Sequence, residues 1–308
     1  MSVMTASHTP ATSCGDDVRR RLAAAGLCAL AAAALAAVQV LAADRLGINQ
    51  WTTRLGPYDE FVGWDHAVTR STWYPAASTL LASAITYRAF HRASWSRRWL
   101  PVAAWLGSCL IAAPLLHGLA AAAPEQGHHS SPSEVAQATI VGGAIGAAAA
   151  LTALRHREVG AGLVAYTLWV SLLEFTRPWW WDRPPTFDPM LTQGVLRSDT
   201  GEYAVEATLS EAGGITAGLI GPVVVSGLVA AWAAARQARW TSAALAGAAG
   251  PLLLCAVYLT TDPQLGDQES IQVTLWVYSI LAALIGLCVS ATVAAVTRVI
   301  TKRAQAAP

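Results

Sequence analysis

A chain of 308 residues that is 54% hydrophobic and only 13% charged departs from soluble domains, where about a quarter of residues carry charge. Its formal net charge of +1 leaves no electrostatic footprint for nucleic acid, which is excluded as a partner. The five cysteines include no CxxC pair, and Cys28, Cys109, Cys255 and Cys288 lie inside apolar runs while Cys14 lies near the N-terminus; they read as small apolar filler and not as a disulfide framework.

In chain order, residues 1–18 are polar and are expected to form a disordered tail. Arg19, Arg20 and Arg21 then precede LAAAGLCALAAAALAAVQVLAA at 22–43, long enough to cross roughly 30 Å of hydrocarbon. That run is long for the apolar part of a signal peptide, so it is read as a retained first span. A polar and aromatic segment follows at 44–73, then spans near 74–90, 99–122, 135–154 and 159–176. A second long segment, Arg177 to Val205, opens with RPWWWDRPPTFD. Spans near 208–232, 240–260 and 271–296 complete the chain, and 298–308 forms a short basic tail. The expected fold is an all-α integral membrane protein, a bundle of eight transmembrane helices occupying 19–297.

The basic residues orient this bundle. With both termini in the cytoplasm, 14 of the 20 Lys and Arg residues fall in short inner segments, and only Arg45, Arg54, Arg70, Arg177, Arg183 and Arg197 fall in the outer segments 44–73 and 177–205. That is the positive-inside pattern, and it points to a multi-pass cell-membrane protein. Small residues crowd the spans, as in ATIVGGAIGAAAAL at 138–151, and let helix backbones approach closely in lipid.

Chemistry is sought where polar side chains interrupt the apolar runs. Gln39, His117, Glu174, Gln137, Glu211 and Gln272 all fall near the outer level of their spans, and this layering suggests one shared site. The glutamines also serve as ordinary interhelical hydrogen-bond partners. Glu174 is the sharpest case: it ends an outgoing helix, where the dipole disfavours a carboxylate, so it reaches solvent, pairs with Arg177 or holds a proton. Asp65 and His66 form the strongest pair outside the spans. Trp51, Trp64, Trp73, Tyr74 and Trp179 to Trp181 read as interfacial anchors.

Three functions follow as expectations. The first is a membrane-embedded enzyme acting on an apolar lipid or prenyl-type substrate by acid-initiated isomerisation or cyclisation. There Glu174 donates the proton, Glu211 or Asp65 supplies the second acid or base, and His117 belongs to the same polar layer. Trp169, Trp180 and Trp181 wall a developing carbocation, and His66 and Gln39 contact the substrate. The second is a permease or the membrane subunit of an export complex, with any ATPase on a separate chain because the inner segments are short. The third is a scaffold or assembly subunit. No cofactor is expected. His66, His117, His128 and His129 supply metal-ligand types without diagnostic spacing, and no HExxH, Walker A or GxSxG motif is present.

Overall fold

The computed structural model describes residues 14–48, 59–90, 96–123, 131–176, 212–261 and 271–306, without the side chains of 14–16, 59–66, 96–97, 212–220, 271–278 and 306. All regular structure among these residues is helical: α1 (Cys14–Arg45), α2 (Asp59–Ala89), α3 (Ser96–Ala121), α4 (Pro132–Arg155), α5 (Arg157–Thr176), α6 (Ala212–Ala235), α7 (Trp240–Thr261) and α8 (Ile271–Ala306).

The helices outrun the apolar segments in three places. Helix α1 starts at Cys14, within the segment expected to be a tail, and there Asp17 pairs with Arg21 one turn on; an acid in the first turns also suits the helix dipole. Helix α8 continues to Ala306 and carries Arg303 in its last turn, where a cation is favoured. The largest difference is α2. Its helix begins at Asp59, so 59–73 is not a loop leading to a short span.

Local sequence fixes the ends. Ser131 caps α4 by accepting from the Ser133 N–H, and Pro132 occupies the first turn, where its missing N–H costs nothing. Helix α1 ends in a Schellman turn. Gly47 adopts φ +64°, and the Ile48 and Gly47 amides donate to the carbonyls of Ala43 and Asp44 at 2.8 and 3.0 Å. That left-handed residue swings Ile48 back against the bundle, where its side chain is buried.

The eight helices stack as four two-helix layers in the order α1/α3, α2/α4, α5/α7 and α6/α8. Partners within a layer run parallel: Gly142 and Gly146 of α4 meet Thr72 and Ala76 of α2, and Gly162 and Gly250 bring α5 and α7 together in register with Ala246 and Tyr166. Neighbouring layers run antiparallel, as Gln39 with Ser78 and Ile48 with Arg70 show for α1 against α2. In the halves α1–α4 and α5–α8 the same pairs of helices touch, but α2 on α4 is the closest packing of the first and α7 on α8 that of the second; the halves are joined where α2 and α4 meet α5 and α7.

Six helical segments are long and apolar enough to cross a membrane: Asp17–Arg45, Arg98–Ala121, Pro132–Arg155, Arg157–Thr176, Trp240–Thr261 and Ser279–Gln305. Leu30, Leu106, Leu110, Leu228 and Ile300 point outward. Helix α2 is outside this set of six, yet residues 67–83 are buried without interruption, enclosed by α1, α3, α4, α5 and α7. Polar residues inside and apolar residues outside are the arrangement of a multi-pass membrane protein, because a helix shielded by its neighbours does not meet lipid. This enclosure also corrects one expectation: Trp73 and Tyr74 are core residues, not interfacial anchors.

Candidate functional site: a buried ion pair between the two halves

Helix α2 carries Thr69, Arg70, Ser71, Thr72, Ser78, Thr79 and Ser83, all buried. Most of their hydroxyls find nearby partners. Ser71, Thr72 and Ser83 donate to the carbonyls of Ala67, Val68 and Thr79, four residues back. Thr79 shares a 2.8 Å hydrogen bond with Ser108 of α3, and Thr69 donates to Thr261 of α7 at 3.3 Å. Short hydroxyl side chains can bond their own helix backbone in this way, so a polar helix survives without bulk water.

Arg70 cannot be satisfied so locally. Its Nε donates to Glu174 Oε1 of α5 at 2.9 Å, and its Nη1 donates to the Ile48 carbonyl at 3.0 Å. Arg70 and Glu174 are 4% and 1% exposed. Tyr74, one turn along α2 from Arg70, donates a longer hydrogen bond of 3.4 Å to the same carboxylate oxygen, and its ring stacks on Phe175 at 6.4 Å between centroids. A buried guanidinium demands a counter-ion and further acceptors. Here the counter-ion comes from the last turns of α5, and an acceptor comes from the Schellman turn of α1. The pair ties the first half to the second beside the Thr69–Thr261 contact.

Glu174 thus pairs with Arg70, which lies far away in sequence and was not among the expected site residues. Arg70 falls in the outer segment 44–73, and it shares a face with His66 only where that segment is helical, as it is from Asp59 onward. The readable signal was the small-residue stretch around it, AVTRSTWYPAAS, continuous with an apolar helix. On α5, Thr167 and Ser171 share a helical face with Glu174 at spacings of seven and three residues. Their buried hydroxyls have no hydrogen-bond partner among the described residues, so a polar stripe leads inward from the ion pair.

The other expected site residues do not gather at this pair. Gln39 is buried and donates from Nε2 to Ser78 at 3.3 Å, deeper along α2. His117 is exposed and its Nδ1 lies 3.0 Å from the Pro132 carbonyl, tying the end of α3 to the start of α4. Trp169 packs on the backbone of Gly221 in α6. Asp65 and His66 lie on α2 about a turn before Arg70, with side chains outside the described residues; Glu211, Trp180 and Trp181 also lie outside them. Among the described residues no three His, Cys, Asp or Glu side chains converge as a metal site would require.

No family model, curated protein or solved structure matches this chain. Its functional reading therefore rests on the geometry of the bundle.

Proposed function

We propose that the protein is an eight-span permease of the cell membrane, with both termini cytoplasmic, and that it moves a polar solute between its two four-helix halves. The observation that carries this reading is the Arg70–Glu174 pair, which closes one end of an enclosed polar helix at the junction of the halves. Ionisable residues buried within membrane bundles mark solute pathways, and transporters place their sites between structurally related halves that rock against each other. The unpartnered hydroxyls of Thr167 and Ser171 and the hydroxyl-rich α2 supply hydrogen-bonding groups for such a solute. Few titratable groups lie along this stripe, so the reading favours a passive pathway or one driven by a separate ATPase chain over proton coupling.

The lipid or prenyl enzyme has less support. A carboxylate serving as counter-ion to Arg70 has no proton to give an apolar chain. The scaffold reading has no observation that favours it over transport.

The test uses the full chain in liposomes with labelled alanine, glutamate, lactate, choline and inorganic phosphate as probes. A permease must separate α2 from α7 at the closed end, so a disulfide between cysteines placed at Thr69 and Thr261 should stop uptake and reduction should restore it. No uptake above protein-free liposomes for any probe, or uptake indifferent to the crosslink, rejects the proposal.

A further inference from the structure

At the opposite end of the bundle, two cations meet one indole. Arg157, the first residue of α5, lies over the ring of Trp232 of α6 with its guanidinium carbon 5.4 Å from the ring centroid. Arg236, just past the end of α6, lies over the same ring at 5.0 Å. Each contact is favourable because the indole face is electron-rich, but bringing two like charges to one ring has an electrostatic cost. Neither guanidinium pairs with a carboxylate among the described residues. Arg298 reaches the nearby α6–α7 turn and donates to the Ala238 carbonyl, adding a third positive charge, so that the arginines outnumber Glu158, the acid next to Arg157 in the first turn of α5.

Below these cations the surface turns apolar. Leu168 lies three turns along the Arg157 face of α5, and Leu228 lies one turn from Trp232 on α6, with Val224 a further turn away; all three are exposed. Exposed Trp99 and Trp240 start α3 and α7 at this same end of the bundle, and indoles favour the headgroup level. A cationic pair at headgroup depth above exposed apolar side chains matches one class of molecule in both parts.

We propose that the α5–α6 face at the basic end binds an anionic phospholipid. Its phosphate meets Arg157 and Arg236 beside Trp232, and its acyl chain lies against Leu168, Val224 and Leu228. The site is distinct from Arg70–Glu174 and needs neither transport nor catalysis. It rests only on the chain lying in a bilayer, so it stands or falls separately from the permease reading.

The full chain, purified in detergent, is titrated with phosphatidylglycerol or phosphatidylcholine, and bound lipid is counted by native mass spectrometry. Phosphatidylglycerol should bind about tenfold more tightly or better, and R157Q or R236Q should each weaken it about fivefold. R157K/R236K keeps the charge and should retain binding. K302Q/R303Q, on the exposed end of α8, should change little. Gel filtration of each variant checks folding, and the single substitutions carry the test if R157Q/R236Q does not fold. Equal affinity for the two lipids overturns the proposal, as does undiminished binding by folded R157Q and R236Q. Inorganic phosphate competing with phosphatidylglycerol at equal affinity also overturns it, because the acyl chain would then contribute nothing.

Discussion

Arg70 stays charged under all ordinary conditions, so its burial at 4% exposure makes Glu174 indispensable to the fold. Removing one partner leaves an uncompensated charge inside the bundle and costs about 3–5 kcal/mol, whereas replacing both with apolar groups of similar volume is close to neutral. R70M and E174Q should therefore each destabilise the protein strongly, and R70M/E174L should recover most of the loss. Denaturant unfolding in detergent measures the cycle, and single variants that lose less than about 1 kcal/mol would show that the pair is not energetically closed off from water. The cycle also isolates function. A double variant of normal stability that no longer moves solute would place the charges in the mechanism as well as in the fold. At this scale the sequence is half legible: Glu174 stands out because a carboxylate at a helix C-terminus needs an explanation, but nothing local announces a partner 104 residues away.

At the scale of elements, α2 and α4 show how composition can mislead and spacing can inform. The stretch of α2 before Tyr74 resembles a loop, and the structure makes it helix, with residues 67–83 buried among five neighbouring helices. The glycines of α4 are more transparent. Gly142 and Gly146 stand four apart, and a Cβ at either would lie 1.9 or 2.4 Å from a backbone oxygen of α2. Backbone cannot move aside as a flexible side chain can, so the two helices would have to separate. Gly142→Ala and Gly146→Ala should lower the yield of folded protein sharply. Gly26→Ala and Gly118→Ala, whose new methyl groups meet nothing within 4 Å, should be neutral or mildly stabilising, since alanine favours helix over glycine by roughly 1 kcal/mol. Gel filtration of the four variants checks the contrast. An unchanged yield for both α4 variants would mean that the α2/α4 contact is looser than the geometry requires.

Across the whole molecule, charge was legible from sequence and internal order was not. The shared set of touching helices in α1–α4 and α5–α8 leaves no obvious repeat in the residues, because many combinations of small side chains satisfy a close approach. The basic residues are different, since their segregation does not depend on which helix packs on which. Arg21, Arg88, Arg98, Arg155, Arg157, Arg236, Arg239, Arg298, Lys302 and Arg303 all fall at one end of the alternating helices, while Arg45 and the buried Arg70 lie toward the other. If the positive-inside rule governs, the former end faces the cytoplasm and the Arg70–Glu174 closure faces out. Cysteines introduced at Ala122, after α3, and Thr241, at the start of α7, probe opposite ends at exposed positions. In a background with the native cysteines replaced, an impermeant maleimide applied to intact cells should label Ala122→Cys and spare Thr241→Cys until the membrane is opened. The reverse pattern would turn the bundle over and put the ion pair at the cytoplasmic side. Labelling of both in intact cells would mean that an even number of crossings separates them, where α4, α5 and α6 supply three, and the eight-span arrangement would then fail while the helical packing stood.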